Sequence, residues 1–156
     1  RAALLARVEL LRCAAEVASL VFSDCPGYSP LAADTAPAEQ AYARYLAGQA
    51  LAADAERLPA AHRGMLTGAP TAEALRAIAD PLSRLVAAGV LMRSNRATPA
   101  VIEVAVDTAS DQGWRRPLLA WLGVARQQAE AAGDRAQAEQ LARRIQLVLD
   151  GPSTGR

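Results

Sequence analysis

Hydrophobic positions recur along the chain with a period near 3.6, and Pro, Gly, Asp and Thr punctuate them at intervals that suit helices. No window alternates as a strand would. On a wheel of about 100° per residue, Leu4, Val8, Leu11, Ala15, Ala18 and Phe22 fall on one line. Leu10, Cys13, Val17, Leu20 and Val21 gather on the opposite side, while Glu9, Arg12 and Glu16 share a narrow polar strip. A helix apolar on two sides is expected between neighbours. The pattern therefore predicts a first helix that runs to about Phe22 and is central to the packing.

Ser23 to Pro30 is rich in turn residues and reads as a rigid loop. A second helix is expected from Pro37 to about Arg57, with Thr35 or Asp34 near its cap. Tyr42, Tyr45 and Gln49 share one stripe of it; Ala43, Ala47 and Ala50 lie on the far side. From Leu58 to Pro70, the residues Pro59, His62, Gly64 and Gly68 predict a loop with at most one helical turn. Thr71 opens a helix that meets Asp80-Pro81, either a fresh start or a kink, and resumes to about Met92. Thr98-Pro99 starts the next and Gly113 stops it. Pro117 begins another that ends at Gly133, and Asp134 caps the last, which runs to about Leu149. Short turns force antiparallel neighbours, so Leu118, Leu122, Ala125, Ala129 and Ala132 are expected to face Ala138, Leu141, Ile145, Val148 and Leu149. The expected fold is all-α, an irregular bundle of about six or seven helices arranged as antiparallel hairpins. Residues 1–151 form one domain in this reading, and 152–156 a frayed tail.

Composition narrows the function. At 156 residues the chain can bury a core without staples. Apolar residues are 52% but aromatics only 4%, so alanine carries much of the interior and lets helix axes approach closely. Net charge is +1, with neither the basic stripe of a nucleic-acid binder nor a polybasic membrane segment. All 17 basic residues are Arg. Without Lys there is no P-loop lysine, Schiff-base lysine or Ser–Lys dyad; the bias itself fits a GC-rich bacterial genome. Arg7, Glu9, Arg12 and Glu16 interrupt the stretch from Ala2 to Phe22, which is thus neither a membrane span nor a signal peptide. Because the helical pattern is already under way at Arg1, an upstream segment is expected to have been removed, an export signal being one possibility.

Candidate chemistry is sparse. Cys13 and Cys25 are the only cysteines. A helix reaching Phe22 advances about 13 Å past Cys13, and three residues return at most about 10 Å, so a disulfide is hard to reach there, whereas a helix end nearer Leu20 makes it easy. A bridge would indicate a periplasmic or secreted protein, free thiols a cytoplasmic one. Two cysteines and one histidine do not make a structural zinc site. His62 lacks a Ser, Cys or carboxylate at motif spacing and is expected at the loop surface. Glu16, Asp54, Glu56, Glu73, Asp107 and Glu139 are read as helix-surface carboxylates, too scattered for a di-metal motif. Arg93 and Arg96 precede one helix start, and Arg115 and Arg116 another, where an anion could sit; solvated loop arginines are the simpler reading. Trp121 is expected in the core, whereas Trp114, with Arg115 and Arg116 beside it, is of the residue types that anchor interfaces.

Ala132-Gly133-Asp134-Arg135-Ala136-Gln137-Ala138, continuing to Arg144, resembles the turn and second helix of a tetratricopeptide repeat. Gly133 and Ala138 match the family's spacing. In the preceding helix, the positions usually held by Trp, Leu and Gly carry Leu122, Ala125 and Arg126, and no 34-residue period runs through the chain. The resemblance covers the C-terminal hairpin alone and implies an adaptor surface for a protein or peptide. The expectation is a non-enzymatic interaction or scaffolding domain without a cofactor, binding through a helix groove or through Trp114, Arg115 and Arg116. The alternative is an apolar ligand held between the Tyr42/Tyr45 helix and the first helix.

Overall fold

The computed structural model describes residues 1–66 and 70–151. All regular structure among them is helical, and the fold is all-α. The α-helices are α1 (Ala2–Ala18), α2 (Pro37–Leu46), α3 (Ala60–Arg63), α4 (Ala72–Arg76), α5 (Pro81–Arg93), α6 (Pro99–Gln112), α7 (Arg115–Ala131) and α8 (Arg135–Asp150). Ser29–Asp34 and Ala52–Arg57 are 3-10 turns. The tail read as frayed, beyond Gly151, and Gly68 of the loop lie outside the described residues.

Helix starts follow side-chain chemistry. The side-chain oxygens of Thr71, Asp80, Thr98 and Asp134 accept hydrogen bonds from the N–H groups of Ala74, Ser83, Val101 and Gln137, each tying down a donor that the first turn leaves free. Asp80-Pro81 is thus a fresh start, not a kink. The second helix begins at Pro37 as expected, but neither Thr35 nor Asp34 caps it: Ala36 is the cap residue, and the Thr35 hydroxyl donates to the Ala32 carbonyl.

Helix stops share one motif. A left-handed glycine follows α2, α6 and α7: Gly48 and Gly133 are the second residues past α2 and α7 and Gly113 the first past α6, at φ 72°, 73° and 67°. In each case the next N–H reaches back to a carbonyl five residues earlier, as in a Schellman cap. Gly48 is why the second helix stops at Leu46 rather than Arg57. The same cap closes α1 through Leu20, at φ 60°, and α5 through Asn95, at φ 57°. A left-handed Leu costs about 1–2 kcal/mol, so nothing in its residue type announces that α1 ends at Ala18, well before Phe22.

The central helix is α5, not α1. Every residue from Leu85 to Leu91 is buried, the all-round apolar pattern of a helix enclosed by others. Around it pack α1, α2, α3, α4 and α6. α1 contributes only one face to this core, through Ala6, Leu10, Cys13, Ala14, Val17 and Ala18. The α1–α5 crossing closes on Gly89, where a Cβ would stand 2.3 Å from the Val17 carbonyl oxygen. α7 packs between α6 and α8. Leu118, Leu122 and Ala129 are buried with Ala138 and Leu141 as the periodicity predicts, but Ala132 and Leu149 are exposed at the ends of the hairpin. Trp121 has no exposed surface, and its indole N–H donates to the Ala18 carbonyl at 3.0 Å, satisfying an oxygen that the end of α1 leaves unpaired.

Candidate functional site

Of the apolar line read as half of a buried α1, Leu4, Val8, Leu11 and Ala15 face solvent, while Ala18 is buried. Leu4 is 68% exposed, Val8 52% and Leu11 64%; Leu5 and Ala15 are exposed beside them. Single exposed leucines are ordinary. Four large apolar side chains on one helix form a contiguous patch, the usual mark of an interaction surface.

Ion-paired arginines flank the patch. At about 100° per residue, Arg7 falls directly on one side of the Leu4–Val8–Leu11–Ala15 line and Arg12 on the other. Both side chains are 67% exposed. Arg7 donates to Glu39 at 2.9 Å, and Arg12 lies 3.7 Å from both Glu9 and Glu16. These carboxylates are set back, with the Glu39 side chain only 13% exposed. The bond from Arg7 holds the Glu39 carboxyl below its ordinary pKa. What projects outward is therefore hydrocarbon bordered by ion pairs.

The patch drains into a hollow on each side. Between α1 and α2 lies a groove of about 460 Å³ walled by Leu10, Leu11, Ala38, Tyr42 and Leu58, with Arg57 at its rim. Towards the end of α1, a cleft of about 940 Å³ is bounded by Ala15, Leu82, Trp114, Arg115 and Arg116, and Arg12 reaches it as well. The three sequence-predicted partner-binding residues thus stand together, and beside α1. Trp114 is half-buried against the core. Arg115 donates to the Leu149 carbonyl at 2.9 Å, tying the start of α7 to the end of α8. Arg116 is exposed and makes no hydrogen bond or ion pair with the described residues.

His62 is not at the surface: it is 2% exposed on α3, 2.8 Å from the Tyr45 hydroxyl and packed against both the Tyr42 and Tyr45 rings. Burial pushes its pKa down to about 4 and that of Tyr42 up to about 12. The stripe of Tyr42 and Tyr45, visible in the sequence, was the available signal that an aromatic cluster would draw in a nearby imidazole. Asp54 is also buried rather than superficial. Arg44 grips it with two bonds of 2.7 and 2.9 Å and the Leu51 N–H adds a third, which together hold its pKa down to about 2. Arg93 is no solvated loop residue: it donates to the carbonyls of Ser23 and Leu46 and lies over the Phe22 ring, clamping two chain turns. Cys13 and Cys25 form a disulfide with Cα atoms 5.6 Å apart, made possible by the early end of α1 and the left-handed turns at Leu20 and Cys25.

No family model matches the chain, nor does any curated protein or solved structure. Among the described residues, no three His, Cys, Asp or Glu side chains gather as a metal-binding group, and no helix is long and apolar enough to cross a membrane.

Proposed function

We propose that this is a non-enzymatic interaction domain whose docking surface is the outer face of α1. The observation that carries the reading is the contiguous exposure of Leu4, Leu5, Val8 and Leu11 on a helix whose opposite face is locked into the core. Covering these partly exposed side chains adds a fraction of the about 1.5–3 kcal/mol that full burial of each would give, so a partner gains affinity here without deforming the fold. The alternative, a small apolar ligand between α1 and α2, draws support from the groove lined by Leu10, Tyr42 and Leu58. That groove has Leu11 as one wall, itself mostly exposed, so it opens sideways onto the patch instead of enclosing a molecule. Its shape suits a side chain from a docked segment better than a sequestered ligand. The Trp114 cleft joins the same surface through Ala15 and Arg12.

The test is capture from native extract with the wild-type chain and with Leu4→Glu/Leu11→Glu. Both leucines are solvent-exposed, so the melting temperature of the variant stays near wild type while captured proteins are lost. An unchanged set of captured proteins removes the reading.

A further inference from the structure

We infer that the cleft between the end of α1 and the starts of α5 and α7 binds a small phosphomonoester with an apolar body. The cleft meets the outer face of α1 only at Arg12 and Ala15, and its chemistry is independent of what docks on that face. α7 is 17 residues long, and Trp114 at its start supplies no side-chain acceptor. Among the described residues nothing accepts from the N–H groups of Arg115 and Arg116, and Pro117 has none to offer. Two free donors and the positive end of a long helix therefore border the cleft. The wall made by α1 adds a third donor. Ser19 is 8% exposed and lines the cleft, and its hydroxyl has no hydrogen-bond partner among the described residues. A hydroxyl so enclosed ordinarily has one; an acceptor lodged in the cleft supplies it.

Charge selects the ligand once every group is counted. Arg12, Arg115 and Arg116 line the cleft against Glu16 and Asp80. Glu16 lies 3.7 Å from Arg12 and accepts from the Ser23 hydroxyl, so these two charges are matched. Asp80 accepts from the Ser83 N–H at 2.8 Å and thereby answers the positive end of α5. Neither carboxylate forms an ion pair with Arg115 or Arg116. Arg115 spends Nη2 on the Leu149 carbonyl and keeps its other donors, while Arg116 keeps all of its own. The end of α1 brings no opposing field, because the carbonyls of Glu16, Val17 and Ala18 already accept from Ser19 and Val21, from Leu20 and from the Trp121 indole. Two guanidinium groups, two N–H groups and one hydroxyl remain unmatched. A carboxylate has two oxygens and one charge to set against them; a phosphomonoester has three terminal oxygens and nearly two charges. The rest of the wall, Ala15, Pro81, Leu82 and Trp114, is apolar, and at about 940 Å³ the cleft has room for an organic body behind the phosphate.

The experiment titrates the full, 15N-labelled chain with phenyl phosphate, with phenol and with inorganic phosphate, following the two indole N–H resonances by NMR. Trp114→Phe assigns them. Phenyl phosphate is expected to shift the Trp114 resonance saturably and to bind at least about tenfold more tightly than either fragment, with affinity falling as salt rises. Arg116 is exposed, so Arg116→Gln keeps the melting temperature and weakens binding about tenfold, the loss of one charge-assisted contact. Ser19→Ala removes a buried hydroxyl without a partner, so it leaves the melting temperature equal or higher while weakening binding as well. A Trp114 resonance that does not move overturns the assignment. So does equal binding of phenol, which would mean no anion is read, or equal binding of inorganic phosphate, which would mean the apolar wall is not used. Binding that neither Arg116→Gln nor Ser19→Ala weakens, or a Ser19→Ala protein of lowered stability, overturns it too.

Discussion

Replacing Gly89 by Ala reverses the usual sign of a glycine substitution in a helix. In an ordinary helix interior, Gly→Ala stabilises by about 0.8–1.0 kcal/mol, because Gly loses more backbone entropy on folding. At Gly89 the new methyl would lie 2.3 Å from the Val17 carbonyl oxygen and 2.8 Å from Val17 Cγ1. The nearer atom is backbone in the last turn of α1, so it cannot rotate away; the two helices must separate. Separation loosens the contact of α1 with α5 and disturbs the Ala18 carbonyl that receives the Trp121 indole N–H. Overpacking of this kind costs about 1–3 kcal/mol in a well-packed core, and a clash with backbone belongs at the upper end. After the propensity gain is subtracted, a net loss of about 1–2 kcal/mol is expected, or a melting temperature lower by roughly 2–8 °C for a chain of this size. Thermal unfolding by circular dichroism, with chemical denaturation for ΔG, measures it. A Gly89→Ala protein as stable as wild type, or more so, would mean that α1 and α5 do not cross at this point, and the placement of the α1 outer face would fall with it.

Stability should decline in mild acid: His62 has a folded pKa of about 4 against an ordinary value near 6.5, so below pH 6.5 the unfolded chain takes up a proton that the folded one refuses. The loss approaches about 3 kcal/mol by pH 4, and His62→Gln flattens the slope; denaturation midpoints across that range check it, and a flat profile in the wild type contradicts the buried site. Thiol titration of the denatured, unreduced protein should find no free thiol, and reduction of the Cys13–Cys25 bridge, which closes a short loop, should cost about 3 kcal/mol. Trp121→Ala should cost about 3–5 kcal/mol, whereas Trp114→Ala, truncating a half-buried ring at the cleft edge, should cost clearly less; equal destabilisation would make Trp114 a core residue and remove it from the docking surface.

Much of the fold was legible because its punctuation is chemical. Thr71, Asp80, Thr98 and Asp134 accept hydrogen bonds from the first-turn N–H groups of their helices, and Gly113 and Gly133 take a backbone conformation that other residues resist. Leu20 gives no such sign, which hid the end of α1 and left the disulfide undecided. The centrality of α5 was present in the unbroken apolar run from Leu85 to Leu91. α1 shows two apolar faces as well, and periodicity cannot tell a face covered by the chain from one that is exposed. For the candidate site this ambiguity is the main lesson: Leu4, Val8 and Leu11 read as core and are surface. His62 and Asp54 erred the other way, since a polar residue in a Pro-rich segment reads as exposed until its partners, Tyr45 and Arg44, are brought to it by tertiary packing. Trp114, Arg115 and Arg116 were singled out by residue type; their position beside α1 follows from the α6–α7 turn meeting the end of α1, which no local pattern encodes.

Site-specific photo-crosslinking tests the docking surface most directly. A photoreactive side chain is placed at Val8, in the centre of the outer face of α1, and in a second protein at Leu147, an equally large residue 73% exposed on α8. After irradiation in native extract, the Val8 protein is expected to form a discrete crosslinked band, and the Leu147 protein to form none. No discrete band at Val8, or the same bands at both positions, would contradict the assignment of the α1 outer face as the surface through which this protein acts.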